Sequence, residues 1–287
     1  MKKLLTTALF FAGSLISAVQ AQDKALLYEV TGPGLAKPSY LYGTFHLVCP
    51  ADLKITDAMQ TAYGNAQQVY LELDFDDPAL MGQMQKVMTL SDGKTIKDFL
   101  KPEEYTVLDN YLKQRMNMNL SQVGTLKPFG LMSLMYMTLL KCQPQSYDLT
   151  FAQMAAKDKK EVLGLETLDA QMAAIEKMPM ETQIKALVDM ARKPDEASQE
   201  FTSFMAAYKA QDVAKLMESI KNSQFGGGMA EFEDDLLNRR NENWIPVIEK
   251  AAREKPTLFA FGAGHLGNEK GVINLLRKKG YTVKPVQ

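Results

Sequence analysis

The sequence predicts an α/β (α+β) protein built on a mixed, largely parallel central sheet with long helical insertions. Two observations carry this. Six short runs rich in β-formers, Leu26–Val30, Ser39–Tyr42, Gln68–Leu73, Glu161–Leu165, Thr257–Phe261 and Tyr281–Lys284, are bounded by turn-type residues. All but the first two are separated by long helical stretches, the pattern of crossover connections between parallel strands.

Residues 1–21 read as a secretory signal. Lys2 and Lys3 precede the apolar core Leu4–Ile16, and Val19-Gln20-Ala21 offers a small-residue cleavage site. The core is too short to anchor in a bilayer. Losing Lys2 and Lys3 with this segment takes the formal net charge from −1 to −3. That balance argues against nucleic acid or an anionic membrane as the main partner. The rest, 22–287, is long enough to bury a sizeable core as one domain with a helical middle, about 78–160 and 168–252.

The first two runs flank Gly32-Pro33-Gly34 and Lys37-Pro38, which predicts a hairpin. After the third run, Met81, Met84 and Met88 recur at helical spacing. Helices are expected over Pro102–Arg115 and Pro128–Lys141, each opening with the proline that a first turn tolerates. Leu131–Leu140 is apolar on every side and predicts a buried helix. The methionines suit core packing or an adaptable apolar groove. The second helical block carries Pro179, Pro194 and Gly226-Gly227-Gly228, the last a candidate hinge. No repeat of fixed period is present.

Only Cys49 and Cys142 occur, and in an oxidising compartment they predict one disulfide. The competing reading makes Cys49 a metal ligand in His46-x-x-Cys49.

The chain has two histidines, and both follow a strand-like run in the same frame: Gly43-Thr-Phe-His46 and Gly262-Ala-Gly-His265. Neutral imidazole is the commonest metal ligand and a ready general base. Glu72 and Glu166 stand at the ends of two further runs, and ligands of open α/β sheets sit at the carboxyl ends of strands. Glu72 lies in an apolar strand, where a carboxylate needs a partner or a cation. Glu166 also precedes Thr167 and has the simpler role of opening the next helix. Gly43 and Gly262 are expected to supply tight turns, and Gly264 to leave room beside His265. Gly267 is expected to begin a helix through Arg277, whose N-terminus would favour an anion. Phe232, Leu236, Arg240 and Trp244 share one helical face, which puts Arg240 on an apolar stripe, and Pro246 is expected to kink or end that helix. A guanidinium there meets a carboxylate or an anionic ligand.

His-Glu-x-x-His, Gly-x-Ser-x-Gly and Cys-x-x-Cys are absent. Gly262-Ala-Gly264-His-Leu-Gly267 matches a dinucleotide fingerprint in letters, but no acid follows Glu269 to hold a ribose.

Leu27–His46, Arg240-Asn241 and Leu258–Val286 resemble the TraB/GumN family almost throughout, while the helical middle matches in character only. Trp244 departs from the Met that usually follows Arg-Asn in that family. The resemblance implies an erythromycin esterase-like fold and, through the family's Tiki-type metalloproteases, a divalent-metal or His/Glu-dependent hydrolase. Carried over are His46 and His265 as metal ligands with Glu72, and Glu72, Glu166, Arg240 and Asn241 as catalytic residues. Either glutamate would take a proton, and Arg240 would stabilise an oxyanion. Manganese, cobalt or zinc would suit such donors. A periplasmic or secreted peptidase, or a hydrolase of small molecules, is the leading expectation. A metal-free His/Glu hydrolase and a non-catalytic periplasmic binder of peptides or signals stand beside it.

Overall fold

A computed structural model describes residues 24–226 and 230–287. The segment read as a signal, 1–21, and residues 227–228 of the candidate hinge lie outside the described residues.

All six strands form, as β1 (Leu27–Thr31), β2 (Ser39–Thr44), β3 (Gln68–Leu71), β4 (Glu161–Gly164), β5 (Thr257–Gly262) and β6 (Thr282–Pro285). They make one sheet in the order β4-β3-β5-β2-β1-β6. The four strands β4, β3, β5 and β2 are mutually parallel. The predicted hairpin pairs β1 with β2, and β6 adds antiparallel to β1. Because β5 enters last between β2 and β3, segments far apart in sequence become neighbours. Thr44 pairs with Gly262, so the two histidine frames leave the sheet side by side.

Every residue of β2 is buried, so both sheet faces are covered. The helix Tyr147–Asp158 packs on β3 and β4, the helix Arg239–Glu254 on β5, and the helix Val272–Lys278 on β6. A second apolar cluster lies among the helices Pro102–Met116, Pro128–Met137 and Met180–Arg192, around Leu108, Leu112, Leu131, Met135 and Leu187. Tyr136 and Leu139 touch both clusters. Among the described residues no helix is long and apolar enough to cross a membrane.

Four expectations are corrected. Leu131–Leu140 is not buried on every side: Leu131 and Met135 are, while Met132, Leu134, Met137 and Leu140 stay half-exposed. The helix stops at Met137 and turns one face to the helical cluster. Pro246 does not end its helix, which runs on to Glu254. Pro246 and Glu242 are both exposed, so water can take the carbonyl that the missing N–H leaves free. The last helix begins at Val272, not Gly267. The 267–271 segment folds so tightly that a Cβ on Gly271 would lie 1.8 Å from the Gly267 carbonyl oxygen. Finally, Gly43 and Gly262 are not turn residues. Gly43 lies within β2 and Gly262 closes β5, and what they provide is space.

Cys49 and Cys142 are bonded, with Cα atoms 5.7 Å apart across a separation of 93 residues. The pairing removes Cys49 as a metal ligand. A loop of that length stabilises by about 4–5 kcal/mol in the chain-entropy model.

Candidate active site

The carboxyl ends of the four parallel strands carry the site. Glu72 follows β3 directly and its carboxylate is buried. Oε1 accepts the Gly262 N–H at 2.8 Å. It faces His46 Nε2 at 3.9 Å and His265 Nε2 at 4.0 Å. Oε2 accepts from Arg240 Nη2 at 2.6 Å and from Gln171 Nε2 at 3.1 Å.

Gly262 explains why three donors converge there. A Cβ at this position would sit 3.3 Å from Glu72 Oε1, 3.5 Å from His46 Nε2 and 3.7 Å from His265 Cδ2. The missing methyl leaves an opening bounded by a carboxylate and two imidazoles. Gly43 is small for packing, since a Cβ there would lie 2.5 Å from Leu266 Cδ1. Gly264 faces Met217 Sδ, 3.5 Å from where its Cβ would be.

His265 lies in a short 3₁₀ turn, Ala263–His265, and is buried. Its Nδ1 is 2.6 Å from Asn241 Oδ1, while the Asn241 amide donates to the Lys270 carbonyl at 3.0 Å. The amide orientation therefore assigns the proton to Nδ1 and leaves the Nε2 lone pair toward Glu72 and Arg240 Nη1, the latter 3.2 Å away. Trp244 lies against the ring, centroids 4.4 Å apart. Burial, with the neighbouring Arg240 charge, pushes the imidazole down to about 3, so it is neutral at neutral pH.

His46 is different. Its side chain is 65% exposed, and Nδ1 meets Asp148 Oδ2 at 3.3 Å. Crowding by protein atoms pulls this imidazole down, but the Asp148 hydrogen bond and charge, with Glu72, outweigh it and raise it to about 9.

Arg240 is held between two carboxylates. Nε and Nη2 donate to Glu166 at 3.0 and 2.6 Å, and Nη2 also reaches Glu72. Nη1 is the nitrogen with no carboxylate partner; it meets the Leu236 carbonyl and His265. A π-helical turn, Asp234–Asn238, leads into the arginine and widens the backbone there. Burial alone would raise the Glu72 carboxyl, but Arg240 outweighs it and, with the Gly262 N–H, holds it well below the usual carboxylate range.

Glu166 is drawn into the site by Arg240, by Trp244 Nε1 at 3.2 Å and by Gln171 at 3.2 Å. Opening the next helix falls to Thr167, whose hydroxyl accepts the Ala170 N–H. The structure thus brings together His46, Glu72, Glu166, Arg240, Asn241 and His265. Asp148 and Gln171 were not expected from the sequence. Among the described residues, no three His, Cys, Asp or Glu side chains already stand in metal-binding geometry.

The model of the TraB/PrgY/gumN family matches residues 26–285. The chain belongs to that family. Both Gly-x-x-His frames and all the site residues above fall inside the match. Among curated proteins, the metalloprotease TIKI2 of Xenopus tropicalis is 25% identical over 303 residues, covering 86% of this chain and 57% of the relative. Metalloprotease TIKI1 of Danio rerio is 23% identical over 300 residues, 86% of this chain and 60% of its own. Metalloprotease TIKI1 of Homo sapiens is 23% identical over 302 residues, 86% and 59%. The chain therefore spans under two thirds of the length of these family relatives. No solved structure matches.

Proposed function

We propose that this protein is a divalent-metal-dependent hydrolase of peptide bonds, with His46, His265 and Glu72 holding the metal. The observation that carries the reading is the opening at Gly262, bounded by Glu72 Oε1, His46 Nε2 and a His265 ring whose Nε2 lone pair is free of its own proton. Two imidazole nitrogens and a carboxylate oxygen are a donor set that manganese, cobalt and zinc accept. Two carboxylates, Glu72 and Glu166, share the one Arg240 guanidinium, and a third, Asp148, meets His46 beside them, an acidic balance that favours an added cation. The likeness to proteins named as metalloproteases supports the reaction class.

A divalent metal so held would lower the pKa of bound water and polarise a scissile carbonyl. The chain's own residues do the rest. A carboxyl held as low as Glu72 favours cation ligation over proton uptake. Glu166, which shares the Gln171 amide with Glu72, is the carboxylate left for proton transfer. Arg240 Nη1, whose second hydrogen faces His265 Nε2 and would be freed if that nitrogen took a metal, is the donor that a developing oxyanion would meet. Asn241 fixes the His265 tautomer. The disulfide supports a location outside the reducing cytosol, periplasmic or secreted, in agreement with the signal read at residues 1–21.

One observation favours a second reading, a metal-free hydrolase. His46 is exposed, has a carboxylate behind Nδ1 and turns Nε2 to the site, the arrangement of a group that exchanges a proton with a substrate. Turnover of a peptide library before and after chelator treatment separates the two: loss on chelation with recovery on metal addition supports the first, and undiminished turnover the second.

A further inference from the structure

We infer that Asp148 is the positioning residue for His46, and that the Cys49–Cys142 disulfide holds the two together. Residues 46 and 148 lie 102 positions apart, and four separate ties join their segments. Cys49 is bonded to Cys142. Val48 and Gln145 exchange both backbone hydrogen bonds, at 2.9 and 2.8 Å. The Tyr147 hydroxyl accepts the Lys54 N–H at 2.9 Å. Asp148 Oδ2 then meets His46 Nδ1 at 3.3 Å. A strand-end loop with an exposed imidazole would otherwise leave the ring free to rotate. Here it is stitched, over a few residues, to the start of the Tyr147–Asp158 helix.

The carboxylate is not explained by the helix it begins. Capping belongs to Ser146, whose hydroxyl accepts the Asp148 and Leu149 N–H groups. An acid that served only the helix dipole would remain in water. Asp148 is instead 3% exposed, and its Oδ1 is buried with no hydrogen-bond partner among the described residues. Burying a carboxylate this incompletely satisfied is costly; its Oδ2 accepts the neighbouring Ser146 hydroxyl at 3.2 Å, and the distant group it faces is the His46 ring. An Nδ1–H directed at Asp148 fixes the ring plane and turns Nε2 toward Glu72 and the Gly262 opening. Outer-sphere carboxylates of this kind orient ligating histidines, and their loss typically lowers metal affinity about 10–100-fold. The inference rests on the proposed metal site for its affinity readout, while the ring geometry is read without metal.

The test uses the mature protein with its disulfide intact. Manganese, cobalt and zinc are titrated calorimetrically into wild type, Asp148→Ser and Asp148→Asn. Nitrogen-15 histidine spectra of the metal-free proteins are recorded alongside; with two histidines in the chain, His46→Ala assigns both rings. The expected result is about a tenfold or greater loss of affinity in Asp148→Ser, a smaller loss in Asp148→Asn, and little change in Tm. The His46 Nδ1–H signal should be hydrogen-bonded in wild type and altered in Asp148→Ser. Replacing both cysteines by serine should broaden that signal. Wild-type affinity in a folded Asp148→Ser protein overturns the inference. If Asp148→Ser does not fold, a wild-type spectrum without a hydrogen-bonded His46 Nδ1–H overturns it, and one with that signal, altered in Asp148→Asn, supports it. If wild type binds no metal, the metal reading fails, and the same spectra decide the positioning role alone.

Discussion

Asn241 Oδ1 lies 2.6 Å from His265 Nδ1, and this one pairing decides which nitrogen of the ring faces the site. The amide cannot reverse without losing its bond to the Lys270 carbonyl. Asn241→Ala should therefore lower metal affinity about 10–100-fold through the loss of ring orientation. It should also cost about 1–3 kcal/mol of stability, because buried partners are left unsatisfied. Calorimetric titration and denaturant melts of the variant check the two effects separately.

Gly262→Ala is the sharpest steric probe. The backbone there, φ −49 and ψ 131, accepts an L-residue. The added methyl would nonetheless fall among Glu72, His46 and His265. Metal binding should drop while Tm moves by only a few degrees. Gly43→Ala should do the reverse, overpacking Leu266 and Ala263 at about 1–3 kcal/mol. If Gly262→Ala binds metal as wild type does, the opening is not the ligand space.

Removing Arg240 should be costly. Arg240→Met leaves Glu72 and Glu166 buried without their counter-charge, a loss of about 3–5 kcal/mol. The triple variant Arg240→Met, Glu72→Gln, Glu166→Gln should recover much of it. Urea melts of both proteins test this, and a triple variant no more stable than the single one would contradict it.

The site predicts opposite pH limbs. His265 falls from about 6.5 to about 3 on folding. Its contribution to stability is present above 6.5 and lost as pH falls toward 3, because the unfolded chain takes the proton first. Glu72 is also lowered, so its contribution is present above about 4.5 and lost as pH falls further. His46 rises from 6.5 to about 9, so its contribution is present below 6.5 and lost as pH climbs through 9. His265→Gln should flatten the acid limb of Tm against pH, and His46→Gln the alkaline limb. Unchanged limbs in these variants would refute the assignments.

Much of this arrangement was legible in the chain, and for definite reasons. Strand runs are short and bounded by turn residues, so β1 to β6 were placed to within a few residues. The histidine frames stood out because no other histidine competes with them. Glu72 and Arg240 each put a charge on an apolar element, which demands a partner. Asp148 was illegible because its local context, Ser146-Tyr-Asp, reads as an ordinary helix start, and only the long-range ties between residues 48–54 and 142–147 bring it beside His46. Gln171 carries no such local signal, being one polar residue in a short helix. The helix start at Val272 and the continuity through Pro246 depend on tertiary contact and on which side of a helix meets water. Propensity does not encode either.

Two distant Gly-x-x-His frames are proposed to form one metal site. The most direct test is calorimetric titration of the chelator-treated protein, residues 22–287, with manganese, cobalt and zinc, comparing wild type, His46→Ala and His265→Ala. The account predicts stoichiometric binding of at least one metal in wild type and its loss in both variants. Wild-type protein that binds none of the three, or a variant that binds as tightly as wild type, would contradict it.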